Sequence, residues 1–142
     1  MTIKELREII SLAQELDICK RDLHDELELG SEDFEVDNYR LIKEEDALDI
    51  AIELYKCDPY ILGCFNDWFI SYNCNISLNV VQALQKAEAY EALGELMLDN
   101  GIDDLMEEYI RVDGYGHVFS SYDDNWYEIE LLGTNYIYFR TN

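Results

Sequence analysis

Residues 58–72 restrict the possible folds of this chain more than any other stretch. Asp58 is suited to be a helix N-cap, and Pro59 fits the first helical position, where the N–H that proline lacks would have no intrahelical partner. The large apolar residues that follow recur at helical spacing: Ile61, Leu62, Phe65, Trp68, Phe69 and Tyr72. The pattern predicts one central helix whose wide apolar stripe is covered by other elements.

Helical patterns also occupy most of the chain on either side of this stretch. Thr2 and Glu5 have the spacing of a capping box, which predicts a first helix that begins at residue 3. The other predicted helices cover residues 20–29, residues 44 to just before 59, residues 78–99 and residues 102–110. Asn100-Gly101 is a typical helix stop between the last two.

Two parts of the sequence predict strands. Residues 34–36 and 39–42 flank Asp37-Asn38, which suits a two-residue hairpin loop. After residues 113–116 the pattern alternates with period two, which predicts a three-stranded antiparallel meander over 117–122, 126–132 and 136–141. Its predicted inward face is Tyr127, Ile129, Leu131, Ile137 and Phe139. Its predicted outward face is Trp126, Glu128, Glu130, Tyr136, Tyr138 and Arg140.

The order of these elements predicts an α+β fold with a mostly helical body and a C-terminal three-stranded antiparallel meander. A chain of 142 residues is long enough for one sizeable core, so we expect a single domain over residues 1–142. Within it, residues 1–112 are predicted to be mainly helical and residues 113–142 to form the sheet. No apolar run has the length of a membrane span, and no signal-peptide pattern is present, so we expect a cytoplasmic protein.

The sequence has four cysteines and no catalytic motif. Cys19, Cys57, Cys64 and Cys74 form no C-x-x-C pair, so we expect free, mostly buried thiols. There is no phosphate-binding glycine loop, no H-E-x-x-H and no nucleophile elbow. We therefore expect no catalytic residues, no cofactor and no enzymatic activity. The alternative of a small-molecule enzyme requires turnover that depends on His117 or on added Mg²⁺.

Adjacent carboxylates, Asp103/Asp104 and Asp123/Asp124, have the chemistry to hold a divalent cation. Adjacent acids are expected by chance in a chain with 32 Asp and Glu, so no metal site is predicted.

The excess of acidic residues is the strongest indication of function. The chain has 32 Asp and Glu against 10 Lys and Arg, a net charge of −22. Residues 59–90 contain only two acids and one base, whereas residues 91–142 contain 12 acids and two bases. Solubility needs a net charge of only about 2–8, and more charge destabilises the compact state through self-repulsion. The excess is therefore expected to serve binding.

Two kinds of binding fit such a charge. Duplex DNA carries one charge per about 1.7 Å, so 22 charges match roughly eleven base pairs, and the protein could imitate nucleic acid in the basic cleft of a nuclease. Alternatively, an immunity protein or antitoxin caps one basic toxin, with complementary charge giving fast association. In both cases the partner is a basic protein, and neither direct nucleic-acid binding nor membrane binding is expected.

The predicted partner-binding residues belong to the acidic C-terminal half. The carboxylates are Glu91, Glu95, Asp99, Asp103, Asp104, Glu107, Glu108, Asp123, Asp124, Glu128 and Glu130. Trp126, Tyr136 and Tyr138 on the outward face of the meander are the predicted aromatic anchors, since Trp and Tyr are enriched at interface hot spots. The same outward aromatics suit a homodimer.

Three short stretches resemble those of small proteins from phages and mobile elements. They are Asp-Pro-Tyr-Ile-Leu-Gly-Cys-Phe-Asn at 58–66, Asp-Gly-Tyr-Gly-His at 113–117 and Tyr-Phe-Arg-Thr-Asn at 138–142. Together with the small size and strong acidity, they make the chain similar to the DNA-mimic inhibitors called anti-restriction and anti-CRISPR proteins. This resemblance implies a phage-encoded, non-enzymatic inhibitor of a host defence nuclease, acting in the host cytoplasm.

Overall fold

The computed structural model describes residues 1–142 and shows an α+β fold of nine helices and four strands. In chain order these are α1 (Ile3–Leu16), α2 (Lys20–Leu29), β1 (Asp33–Val36), β2 (Tyr39–Lys43), α3 (Glu44–Lys56), α4 (Pro59–Gly63), α5 (Asp67–Cys74), α6 (Leu78–Lys86), α7 (Tyr90–Asn100), α8 (Asp103–Asp113), α9 (Tyr115–Phe119), β3 (Tyr127–Leu131) and β4 (Thr134–Arg140). None of the helices combines the length and the apolar character that a membrane span requires.

The chain forms two compact units. Unit 1 comprises Met1–Ala47 and Asp113–Asn142, and it contains the whole sheet together with α1, α2 and α9. Unit 2 comprises Leu48–Val112 and contains α4 to α7 with most of α3 and α8. A single domain over the whole chain remains a prediction. The sheet, however, is not confined to residues 113–142, because two of its strands precede unit 2 in the sequence.

The sheet of unit 1 is antiparallel, with strand order β1-β2-β4-β3. The predicted hairpin at Asp37-Asn38 is confirmed, since Val36 pairs with Tyr39 across that turn. The second hairpin turns at Leu132-Gly133, where both residues have positive φ, 55° and 76°. This is the left-handed geometry that two-residue hairpins favour.

The prediction of a three-stranded C-terminal meander is wrong. Residues 115–119 form the short helix α9, and β4 pairs on its other side with β2 instead of with a neighbouring C-terminal strand. The loop after α9 lies directly against this helix, since a Cβ on Gly116 would lie 1.9 Å from the carbonyl oxygen of Asp124. Phe119 stacks on Phe139 of the sheet, with ring centroids 5.4 Å apart.

The predicted inward residues of β4, Ile137 and Phe139, are buried as predicted, but its predicted outward face is wrong, because both faces of the strand are buried. Tyr136 and Tyr138 are only 3% and 8% exposed and pack against α1 and α2, while Ile137 and Phe139 on the opposite face are fully buried. Tyr127, predicted to face inward, is exposed. The core of this unit comprises Ile9, Leu12, Ala13, Ile18, Leu23, Leu27, Phe34, Val36, Leu41, Leu131, Tyr136 and Tyr138.

The predicted central helix of unit 2 is two helices, α4 and α5. The predicted start is confirmed: the Asp58 carboxylate accepts a hydrogen bond from the N–H of Ile61 at 3.2 Å, and Pro59 is the first helical residue. The helix ends at Gly63, and α5 begins anew after Asn66, whose side chain accepts from the N–H of Phe69. The predicted helix over 78–99 is likewise divided into α6 and α7, with Glu88 in the left-handed region between them.

Two glycines allow α4 and α7 to approach each other closely. A Cβ on Gly63 would lie 2.0 Å from the carbonyl oxygen of Tyr90, and a Cβ on Gly94 of α7 would lie 1.8 Å from that of Pro59. Helices α4 and α7 therefore pack backbone against backbone at two points. Leu62 of α4 and Leu93 of α7 are completely buried in this closely packed pair.

We expect Gly94→Ala to destabilise the protein, although alanine at a helix interior normally gains about 0.5–1 kcal/mol over glycine. The added methyl group overlaps the Pro59 carbonyl, so the loss should be about 3 kcal/mol or more, measured by urea unfolding. Ala92→Gly, at an exposed position of the same helix, is the matched control and should cost about 1 kcal/mol. A stabilised Gly94→Ala protein would contradict the close packing of α4 on α7.

We expect Asn66→Ala to lower the free energy of unfolding by about 1 kcal/mol, because it removes the side-chain cap of α5. Ser77→Ala is the control, since Ser77 occupies the N-cap of α6 without a side-chain cap hydrogen bond. The control should change stability by less than about 0.5 kcal/mol. If the two substitutions lowered the free energy of unfolding equally in chemical denaturation, the cap at Asn66 would be contradicted.

Candidate partner-binding surface

Unit 2 presents two helices of exposed carboxylates. Glu91, Glu95 and Asp99 follow one another at intervals of four residues and therefore lie along the same side of α7. On α8, Asp103 and Asp104 in the first turn are followed one turn later by Glu107 and Glu108. All of the predicted acidic residues of this unit are exposed except Glu108, which is partly buried.

Only one of these seven carboxylates is neutralised by a base. Arg111 donates from Nε to Glu108 Oε2 at 3.0 Å and makes a second bond from Nη2 to Oε1. This pair lowers the pKa of Glu108 and raises that of Arg111. Asp103 and Asp104 lie in the first turn of α8 and form no ion pair.

A depression of about 320 Å³ lies beside the start of α8, between the end of α5 and the end of α7. Asn100 donates from its side-chain nitrogen to the carbonyl of Cys74 at 2.9 Å, which joins the two helix ends. Cys74 is buried, and this burial, with a smaller contribution from Asp104, raises the pKa of its thiol to about 11. The thiol is therefore protonated and unreactive at neutral pH.

The predicted acidic residues of unit 1 occupy a loop and an edge strand. Asp123 accepts hydrogen bonds from the N–H of Asn125 at 3.0 Å and from Ser120 Oγ at 3.3 Å, and these bonds lower the pKa of Asp123. Asp124 lies 4.0 Å from Nδ1 of His117. Asp123 thus helps to shape the loop, whereas Glu128 and Glu130 of β3 are exposed and form no ion pair.

The aromatic anchors predicted for unit 1 are mostly unsuited to contact a partner. Tyr136 and Tyr138 belong to the core, so the prediction that they face outward is wrong. The homodimer stays a prediction, but these two residues are not available to form its surface. Trp126 is partly buried and packs edge-to-face on Tyr115 at 5.4 Å. The sheet is covered by α1 and α2 on the face where the two tyrosines lie, which the alternation within β4 did not reveal.

The most exposed aromatic residues belong to the apolar stripe that the sequence predicts to be covered. Trp68 is 67% exposed and Tyr72 is 87% exposed, and they lie one turn apart on the same side of α5. Both belong to the nearly neutral segment 59–90. The signal that was missed is Asn66-Asp67, because a capping residue inside an apolar stripe indicates that a new helix begins there and that the stripe does not continue.

Very little of the negative charge is balanced within the protein. Only three carboxylates form ion pairs with a lysine or arginine: Asp33 with Arg40, Glu53 with Lys56, and Glu108 with Arg111. Unit 1 carries 20 acids and seven bases, and unit 2 carries 12 acids and three bases. Each unit by itself is strongly acidic, and most of its carboxylates face solvent without a partner.

One group of side chains on α2 has the geometry to bind a metal ion. His24 Nδ1 lies 3.2 Å from Asp25 and 3.7 Å from Glu28, on the exposed side of α2. These three are the only residues placed close enough together to share a metal ion. They do not coincide with either predicted carboxylate pair, Asp103/Asp104 or Asp123/Asp124.

Comparisons with known proteins identify no relative: no protein-family model, no curated protein and no solved structure matches the chain.

We expect a thiol reagent at pH 8 to modify Cys19, Cys57 and Cys64 well before Cys74. The first three are exposed, which corrects the prediction of mostly buried thiols. Cys74 is buried with a pKa raised to about 11, so at pH 8 it has less thiolate than an ordinary cysteine. Mass spectrometry of peptides during labelling provides the measurement. In denaturant all four should react at similar rates, and rapid labelling of Cys74 in the folded protein would contradict this environment.

Proposed function

We propose that this protein is a non-enzymatic inhibitor that binds the basic nucleic-acid-binding surface of a host defence nuclease complex, as anti-CRISPR and anti-restriction proteins do. In this proposal the protein is phage-encoded and acts in the host cytoplasm. The observation that carries it is that only three of the 32 acidic residues form ion pairs with lysine or arginine. The field of the remaining carboxylates is directed outward, where a basic partner can use it.

The spacing of charge on α8 supports imitation of nucleic acid. Asp103 and Asp104 in the first turn and Glu107 in the next form no ion pair, whereas Glu108 is paired with Arg111. The six residues 103–108 span about 9 Å of helix, so this stretch carries about one unpaired acid per 3 Å of its axis. One strand of B-DNA carries one phosphate per about 3.4 Å. A groove that binds a phosphate backbone therefore meets a similar density of charge on α8.

An immunity or antitoxin protein that caps one basic toxin is the second candidate. The exposed pair Trp68 and Tyr72 favours it, because large aromatic residues are the usual hot spots of tight protein–protein interfaces. The phosphate backbone, which the acidic surface would imitate, has no aromatic counterpart to such a pair. The two functions differ in whether nucleic acid competes with the protein for its partner.

Capture of a partner distinguishes these functions. The tagged protein is used to capture partners from a lysate that contains bacterial defence enzymes, at low and at moderate salt. Recovery of a nucleic-acid enzyme that added DNA or guide RNA displaces supports the inhibitor. Recovery of one small basic toxin, unaffected by nucleic acid, supports the immunity function. Capture that is insensitive to salt contradicts both, since each depends on complementary charge.

We expect the triple variant Asp103→Lys, Asp104→Lys, Glu107→Lys to weaken partner capture by roughly tenfold or more, because lysines would then face a basic surface. The matched control is Asp22→Lys, Asp25→Lys, Glu28→Lys on α2, which changes the net charge equally at exposed helical positions of unit 1. Binding is measured with the purified partner. An unchanged affinity of the α8 variant would exclude α8 from the binding surface.

A further inference from the structure

Strand β3 forms one edge of the sheet in unit 1. It pairs only with β4, so the N–H and C=O groups along its other side have no strand partner. Edge strands of this kind are templates for the addition of a further strand. β3 is short and carries charged residues, which limits random association, but its edge is not covered by another strand.

A groove of about 380 Å³ runs along this edge, between β3 and α1. Ile129 and Leu131 line it from one face of the sheet, while Glu130 lines it from the opposite face. The groove therefore follows the edge of the strand and does not lie on a single face. Its other wall is the side of α1 that carries two bases, Lys4 and Arg7, and two acids, Glu8 and Glu15, so a preference for basic residues has to come from the glutamates of β3. Glu8 accepts a hydrogen bond from the N–H of Leu132 at 3.0 Å, which holds the end of β3 against the helix.

The side chains of β3 determine which strand fits beside it. Tyr127 and Ile129 point to one face, and Glu128 and Glu130 point to the other. In an added strand, basic residues opposite the two glutamates would form favourable cross-strand pairs. Apolar residues would form favourable pairs opposite Tyr127 and Ile129. A second copy of this chain does not fit, because antiparallel pairing centred on Ile129 would bring Glu128 of one copy opposite Glu130 of the other.

We propose that the free edge of β3 and the groove beside α1 bind an extended segment of a partner protein, in which lysine or arginine alternates with apolar residues. The segment adds to the sheet as a fifth strand. Backbone hydrogen bonds provide affinity, and the two glutamates provide specificity for basic residues. This inference rests on the proposed function, since it describes one segment of the basic partner.

The test uses octapeptides and the complete protein. The first peptide alternates lysine with valine and threonine, the second has the same composition with the lysines grouped together, and the third has glutamate in place of lysine. The first peptide should bind more tightly than the others, by roughly tenfold. It should protect the amides of Glu128 and Glu130 from hydrogen exchange, because these N–H groups point away from β4 to the free edge. Equal binding of the grouped peptide, or protection elsewhere in the protein, would overturn the proposal.

Two controls separate strand addition from simple attraction of charge. In the variant Glu128→Lys, Glu130→Lys the preference should reverse, so that the glutamate peptide binds and the lysine peptide does not. Two further peptides carry N-methyl groups, one on the odd-numbered residues and the other on the even-numbered residues. Only one of these peptides should lose binding, because only alternate N–H groups of the peptide bond to β3. This second control leaves the protein unchanged. Equal effects of both methylated peptides would exclude strand addition.

The outcome for this edge is distinguishable from the outcome for the proposed function. If partner capture is sensitive to salt and to the α8 substitutions while no peptide binds β3, the inference about the edge is wrong and the proposed function stands. If the peptides bind as expected but no capture depends on charge, the proposed function is wrong and the peptide-binding edge remains.

Discussion

Unit 1 depends on the pairing of β2 with β4. β2 precedes unit 2 in the sequence and β4 follows it. In the sheet, Leu41 lies directly beside Tyr138. Their pairing joins two hairpins that each have only local contacts, and it carries the entropic cost of closing a long loop. Arg40 reinforces the joined sheet, since it bonds to both carboxylate oxygens of Asp33 at 2.6 and 2.7 Å and lies over the rings of Phe119 and Phe139.

The same pairing explains how so acidic a chain can have a core. Once β4 lies between β2 and β3, Tyr136 and Tyr138 are covered by α1 and α2, and Phe139 is covered by Phe119. Acidic residues are left at the surface, where water and salt screen their repulsion. Most of them have no cationic neighbour, so their charge contributes little to holding the fold together and is available to a partner.

Predictions that rest on near neighbours in the sequence agree with the structure. The capping box of Thr2 and Glu5, the cap at Asp58, the hairpin at Asp37-Asn38 and the helix end at Gly101 are all present. The acidic residues predicted on α7 and α8 are exposed apart from Glu108, which is partly buried beside Arg111. The prediction of one continuous helix through Asn66 does not agree with the structure. Asn66 caps a new helix there, although the apolar period continues across it.

The sequence by itself determined where most helices and turns begin and end, and it determined the charge of each part of the surface. The reason is that caps, turns and helical periods depend on residues a few positions apart. Only the tertiary structure decided that β4 is covered on both faces, that Trp68 and Tyr72 face solvent and that β3 is a free edge. Which face of a helix or strand is covered depends on segments that are distant in the sequence and pack against it. The spacing of apolar residues along the element does not show whether such a segment is present.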